Sequence, residues 1–254
     1  MLLAIDVGNT NTVLGAFDGD CLLDHWRIAT QEERTSDEYT IALHSLFGMK
    51  GIELQRVQAC IIASVVPGTI QPLRWALEQR LGVKPLVVGP GVKTGMPILY
   101  ENPKEVGADR IVNSVAAYAK YRSGVIVVDF GTATTFDCVS PAGEYLGGVI
   151  APGITISADA LYHHAAKLPR VEVSQPAQVI GRNTVASIQA GLYYGYVSLV
   201  DGIVKRMMAE CGFPVRVVAT GGQARLIAQA SSTIETADDL LTLDGLRLIY
   251  QLNR

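Results

Sequence analysis

The sequence predicts an α/β chain made of two similar halves, residues 1–122 and 123–254. Two observations carry this. An aspartate–glycine turn set between apolar strands occurs twice, once near the start and once near the middle. Behind each copy the pattern first reads as a strand meander and then as alternating helices and strands, which calls for parallel strands added to the meander's sheet.

The first copy is LLAIDVGNTNTVLGAF, Leu2 to Phe17. Leu2 to Ile5 is an apolar strand that ends in Asp6 and Val7. Gly8 allows a tight bend, and Asn9, Thr10, Asn11 and Thr12 offer amides and hydroxyls to a phosphate before apolar residues resume at Val13. Asp6, at the strand end, is placed to face a metal such as Mg²⁺ carried on that phosphate. A single turn of this kind is equally compatible with an ordinary hairpin. A second strand to Phe17, a turn at Asp18 to Asp20 and a third strand from Leu22 to Ile28 complete the meander. Thr35 and Glu38 form a capping box for a helix through Phe47. A strand at Val57 to Ser64, a helix at Ile70 to Leu81 and a short strand at Pro85 to Val88 follow.

Gly89 to Pro103 has no period and reads as a loop. Asn102, Pro103 and Glu105 fit an N-cap, a first-turn proline and a capping acid, so the next helix is expected to open there and run to about Tyr121. Gly107 near its start costs roughly 1 kcal/mol relative to alanine. That cost is explained if something must approach the backbone there.

The second copy is GVIVVDFGTATTFDCV, Gly124 to Val139. Asp129 and Gly131 fall 123 positions after Asp6 and Gly8, and the same offset pairs Asn11 and Thr12 with Thr134 and Thr135. Two copies outweigh the hairpin alternative. A third strand at Tyr145 to Ile150, a helix at Ile154 to Ala166, an irregular stretch to Val179 and a long helix from Thr184 to about Cys211 come next. Pro214 to Ala219 is a strand ending in Thr220-Gly221-Gly222, with a helix from Gln223. A leucine-rich helix from Asp238 to Asn253 closes the chain.

Of the 254 residues 49% are hydrophobic and 18% charged, with a net charge of −3, so there is no electrostatic footprint for nucleic acid. The apolar stretches, Val125 to Val128 for example, are too short to span a bilayer, and no basic leader precedes the first strand. A cytoplasmic protein that binds neither nucleic acid nor membrane is expected. Cys21, Cys60, Cys138 and Cys211 are scattered and form no C-x-x-C pair, so they read as reduced, mostly buried small hydrophobes. The adjacent His163 and His164 point to different faces of a helix and do not read as a metal pair.

Two phosphate turns followed by ATGGQA, Ala219 to Ala224, resemble the actin-like ATPase and sugar-kinase superfamily in motif order. That resemblance implies a duplicated ribonuclease-H-like fold with a cleft between its halves. No Walker or protein-kinase glycine motif competes with it. Within the superfamily the chain is similar to type III pantothenate kinases. IDVGNTN, Tyr100 with Asn102-Pro103, Gly107-Ala108-Asp109-Arg110, DFGTATT at Asp129 to Thr135 and IGRNT at Ile180 to Thr184 carry the likeness.

The resemblance implies ATP-dependent phosphorylation of the primary hydroxyl of pantothenate, the first step towards coenzyme A. It implies Asp109 as general base, a role worth roughly 10²- to 10⁴-fold, and Asp6 to Val13 with Thr132 as the ATP contacts. Tyr100, Gly107 to Arg110 and Thr184 are implied as pantothenate-binding, with Arg110 facing the substrate carboxylate or else held in a structural ion pair. Asp129 is implied to bind a monovalent cation, K⁺ or NH₄⁺, and the protein to be a homodimer. The long helix from Thr184 could supply the subunit contact or simply core. Two other readings remain: a superfamily kinase for a sugar or polyphosphate, and a nucleotide-binding accessory factor for transcription. Intact Asp6, Asp109 and Asp129 favour an enzyme, and Tyr100 to Arg110 favours pantothenate.

Overall fold

The computed structural model describes residues 1–254. The strands are β1 (Leu2–Val7), β2 (Asn11–Asp18), β3 (Cys21–Ala29), β4 (Ala59–Ser64), β5 (Leu86–Val87), β6 (Gly124–Phe130), β7 (Ala133–Val139), β8 (Tyr145–Pro152), β9 (Val215–Gly221) and β10 (Thr236–Ala237). The helices are α1 (Ser36–Met49), α2 (Ile70–Leu81), α3 (Ala108–Tyr121), α4 (Ile154–His164), α5 (Thr184–Cys211), α6 (Ala224–Ala228) and α7 (Leu241–Leu252).

Two five-stranded sheets form, in the orders β3-β2-β1-β4-β5 and β10-β9-β6-β7-β8. Read from the opposite edge, the second order repeats the first, with an antiparallel meander on one side and parallel strands on the other. This is the duplicated ribonuclease-H-like fold. In the first sheet Leu3, Ile5, Val7, Leu14 and Ala16 face α1 and α2, burying Tyr39, Leu43, Phe47, Leu73 and Leu77. In the second, Ile126, Val128, Phe130, Phe136 and Cys138 are buried against α4, α5 and α6. The alternation of period two sends Asp6 and Asp129 to the other face of their sheets. Both capping-box bonds of Thr35 and Glu38 are present on α1. No helix is long and apolar enough to cross a membrane.

Packing divides the chain differently from a single cut at residue 122. One compact unit comprises Met1–Gly95, Asn102–Ala116 and Thr242–Arg254, the other Met96–Glu101 and Ala117–Leu241. In the first, α7 covers the sheet face opposite α1 and α2. A Cβ on Gly15 would meet Leu243 Cδ1 at 2.9 Å, one on Gly245 would overlap the Val112 carbonyl, and Thr242 Oγ1 bonds Asn113 Oδ1 at 2.7 Å. In the second, residues 96–101 run beside β8, where Tyr145 N–H donates to Pro97 O and Leu99 N–H to Tyr145 O, both at 2.8 Å.

The structure corrects the expected start of α3. Asn102 does cap a turn, accepting from Lys104 N–H at 3.3 Å and donating to Glu105 Oε1 at 2.7 Å. That turn is a single 3-10 turn, Pro103–Glu105, and the chain then extends through Val106 before α3 begins at Ala108. Gly107 therefore precedes the helix and carries no mid-helix cost.

Within the second unit Asp201 of α5 pins the loop after α6. Its carboxylate accepts from Ser231 Oγ (2.6 Å), Ser232 N–H (2.9 Å), Ser232 Oγ (2.7 Å) and Thr233 Oγ1 (2.9 Å). Burial alone would raise its pKa, but these donors outweigh burial and hold it down to about 2. The stability this provides is fully present above the unfolded value near 3.8 and is lost as pH falls towards the native value. Urea unfolding of Asp201→Asn at pH 7 is expected to show a loss of about 2 kcal/mol. The gap to the unsubstituted protein should narrow between pH 5 and pH 2.5. A gap unchanged by pH would contradict this assignment.

Candidate active site

The two aspartate turns are built alike but are not the same length. In the first, Gly8 N–H donates to Asn11 O at 3.0 Å, and a Cβ on Gly8 would sit 3.2 Å from that oxygen. In the second, Gly131 N–H donates to Ala133 O at 3.1 Å. Strand register fixes the match: Val7 pairs with Thr12, and Phe130 with Thr134. Thr30 N–H donates to Thr10 O at 2.9 Å, and Gly153 N–H donates to Thr132 O at 3.0 Å. Thr10 thus corresponds to Thr132, and Thr12 to Thr134, an offset of 122 rather than 123. The expected pairing of Thr12 with Thr135 is corrected by one residue. Asn9 is the extra position of the first turn.

That missing residue changes what surrounds the second turn. Gly153 stands where Thr30 stands in the first half, and a Cβ there would overlap the Gly131 and Thr132 carbonyls. Thr12 is buried with its hydroxyl 2.9 Å from Thr30 Oγ1. Thr134 is equally buried, but glycine at 153 supplies no such partner and its hydroxyl has none. The hydroxyl of Thr12 is therefore spent inside the fold, whereas Asn9, Thr10 and Asn11 are exposed at the turn and Asp6 and Val13 half-buried.

Asp129 lies at the C-terminal end of β6, paired with Thr135 on one side and Thr220 on the other. Gly221, at φ +92°, lies against it: a Cβ there would come 2.5 Å from Asp129 Oδ1 and 2.7 Å from Phe130 N and O. The ATGG sequence is thus explained first by its fit to the second aspartate. Gly222 has open space in place of a side chain.

Asp109 sits in the first turn of α3 and folds back on Gly107. Its Oδ1 accepts from Arg110 N–H at 2.8 Å and would lie 2.5 Å from a Cβ on Gly107. The close approach expected at Gly107 is this carboxylate. Burial pushes the Asp109 pKa up, against the opposing pull of the Arg110 N–H and the Arg110 charge. Arg110 itself is buried, 7% exposed, and Ala108 is half-buried beside it.

Tyr100 belongs to the second compact unit, and Gly107 to Arg110 belong to the first. Its ring lies 6.3 Å from that of Tyr145, over Gly147, where a Cβ at φ +130° would touch it at 3.6 Å. Tyr145 is fully buried and donates its hydroxyl to Asp137 Oδ1 at 2.7 Å. Asp137 is also fully buried, with Thr135 Oγ1 at 3.3 Å from its other oxygen. Sequence reasoning passed over Asp137, Tyr145 and Gly147. The available signal was an acid set between the apolar residues Phe136 and Cys138.

Thr184 is exposed at the first position of α5. It does not cap the helix: Asn183 does, accepting from Ala186 N–H at 2.8 Å. The Thr184 hydroxyl is left outside the cap. The glycine of IGRNT also has a structural reason, since a Cβ on Gly181 would overlap the Ser187 backbone.

The family model of type III pantothenate kinase matches residues 2–206. The chain belongs to the type III pantothenate kinase family. A type III pantothenate kinase of Myxococcus xanthus is 62% identical over 253 residues, covering all of this chain and 99% of that protein. One of Geobacter sulfurreducens is 58% identical over 258 residues, covering both chains in full. A Sinorhizobium meliloti protein described as a 2-dehydro-3-deoxygalactonokinase superposes with TM-score 0.62 at 14% identity, covering 99% of this chain and 96% of that one. A Campylobacter jejuni protein described as of the Baf family of transcriptional activators gives TM-score 0.60 at 20% identity, covering 99% and 98%. These two likenesses carry the fold alone. The pantothenate kinase family carries the activity, a phosphotransferase reaction with ATP as donor and pantothenate as acceptor on the route to coenzyme A.

The two glycines after Thr220 separate conformation from composition. Gly221→Ala is expected to lose about 2 kcal/mol or more in denaturant unfolding, because it combines a positive φ with an overlap at Asp129. Gly222→Ala should stay within about 0.5 kcal/mol. Equal effects of the two substitutions would contradict the packing described.

Proposed function

We propose that Asp109 is the general base that takes the proton of the primary hydroxyl of pantothenate as the γ-phosphoryl group of ATP is transferred to it. The observation that carries this reading is the withdrawn carboxylate at the start of α3, raised in pKa by burial. A phosphoryl acceptor needs one group to receive its proton, while the rest of catalysis is positioning and charge stabilisation. A carboxylate whose pKa burial has raised is a stronger base for that step than an ordinary one.

The other roles follow the chemistry of each residue. Asp6, Val7, Gly8, Asn9, Thr10, Asn11, Thr12 and Val13, together with Thr132, form the ATP-binding set. Within it the exposed Asn9, Thr10 and Asn11 offer side chains, and the buried Thr12 contributes through its backbone. Arg110 pairs with the pantothenate carboxylate. Tyr100, seated on Gly147 and Tyr145, and the uncapped Thr184 hydroxyl bond the polar body of the substrate, with Gly107 and Ala108 lining the approach to Asp109.

Two cations complete the reading, and the donor sets fit them. Asp6 offers a half-buried carboxylate at a strand end, a hard oxygen ligand suited to Mg²⁺ on the ATP phosphates. Asp129 places a carboxylate near the end of β6, with Gly221 packed against its Oδ1, an oxygen ligand of the kind K⁺ takes. Such ions, when bound, neutralise phosphate charge.

We further infer a cytoplasmic homodimer. Val179 and Ile180 are 64% and 82% exposed, beside a face of α5 where Gly191 and Gly195 have open space in place of side chains. A second copy packed there would cover that apolar surface. The duplicated halves, 1–122 and 123–254, are proposed as the two repeats from which the compact units are assembled.

Mass spectrometry of a reaction with ATP, Mg²⁺ and K⁺ and a panel of hydroxyl acceptors is expected to detect phosphopantothenate. Asp109→Asn should keep the circular dichroism of the parent and lose roughly 10²- to 10⁴-fold in kcat. Unchanged turnover would remove Asp109 from the base role. Product from a sugar and none from pantothenate would overturn the acceptor.

A further inference from the structure

Cys138 and Cys211 are 73 residues apart in sequence, yet their sulfurs lie 3.2 Å apart. One is on the strand that follows the second aspartate turn, the other is the last residue of α5. Cys138 is buried, 6% exposed, whereas Cys211 is half-buried. The remaining cysteines are separate cases: Cys21 is exposed on β3 and Cys60 is buried in the first unit. All four cysteines are free, as the sequence led one to expect; Cys60 and Cys138 are buried, Cys211 half-buried and Cys21 exposed, and two that are scattered in sequence meet in space.

We propose that Cys138 and Cys211 are a redox-active dithiol that a peroxide converts to an intramolecular disulfide between β7 and the end of α5. A disulfide needs about 2.05 Å between sulfurs, so the present separation must close by about an ångström.

The two thiols have different parts in the reaction. Burial, followed by the hydrogen bond with Cys211, pushes the Cys138 thiol up to about 12, and the nearby charges of Asp137 and Glu210 act in the same direction. Cys138 is thus protonated and shielded, and Cys211 meets the oxidant first. The Cys211 sulfur attacks one peroxide oxygen, the O–O bond breaks, and the departing hydroxyl takes up the Cys211 thiol proton and leaves as water while Cys211 becomes a sulfenic acid. The Cys138 sulfur then displaces that hydroxyl: the S–S bond forms, the S–O bond breaks, and the Cys138 proton leaves with the hydroxyl as water. Two thiols have given up two electrons to one peroxide. Neither cysteine is among the residues proposed to hold ATP or pantothenate, so the inference stands apart from the acceptor reading.

The test uses the whole protein treated with stoichiometric hydrogen peroxide, then alkylated under denaturing conditions and digested. A single peptide joining Cys138 to Cys211, with an intact mass about 2 Da lower and restored by dithiothreitol, is the expected product. The oxidised protein should also melt at higher temperature than the reduced one, because the bridge closes a long loop of the unfolded chain. Cys21→Ser should form the same bridge, and Cys211→Ser should form none while keeping the basal kinase activity. Accumulation of sulfenic or sulfinic acid at Cys211 with Cys138 still alkylatable would overturn the proposal, as would a cross-link carried by Cys21. The wild-type peptide map decides the matter even if a cysteine variant folds poorly.

Discussion

At the start of α3 two physical effects are set against each other. A helix N-terminus, the Arg110 N–H and the Arg110 charge all favour an ionised carboxylate at Asp109, while burial disfavours it and wins on balance. The geometry that makes this hold is glycine at 107. Any side chain there would collide with Asp109 Oδ1, turn the carboxylate outward, and return it to water. The proposed chemistry depends on that single close contact. Gly107 lies where the chain, having finished its 3-10 turn at Glu105 and extended through Val106, enters α3.

The two aspartate turns illustrate how duplication diverges under the same constraints. Their strands, register and backbone hydrogen bonds correspond, so both acids end a strand on the same type of sheet face. One residue fewer in the second turn draws its carbonyls against position 153, which then admits only glycine. Gly221 brings a second backbone close to Asp129. In register its counterpart in the first half is Ser64, opposite Val7 as Gly221 is opposite Phe130. Ser64 instead braces its own turn through Val66 N–H and O, both at 3.0 Å. Similar turns thus acquire different surroundings, consistent with different ligands.

Much of the fold was legible because it rests on local periodicity. The meanders, the capping box at Thr35, the bounds of α2 and α5 and the repeated motif all follow from patterns within a few residues. What the sequence could not carry is contact between distant segments. The docking of α7 in the first unit, the strip 96–101 beside β8, the support of Tyr100 by Tyr145 and Gly147, and the meeting of Cys138 with Cys211 all join residues far apart in the chain. The one-residue slip between the turns was hidden for another reason: threonines recur so closely in both motifs that an ungapped offset still pairs threonine with threonine. Asn102 misled because the capping signals of a 3-10 turn and of an α-helix are the same for their first residues.

The state of the Asp109 carboxyl can be read directly by carbon-13 NMR of protein labelled at its aspartate carboxyl groups, with Asp109→Asn used to assign the resonance. A titration midpoint clearly above the ordinary value of 3.8 is predicted, because burial outweighs the Arg110 interactions. A midpoint at or below that value would contradict the account, since the carboxylate would then be stabilised as a structural ion and be the weaker base.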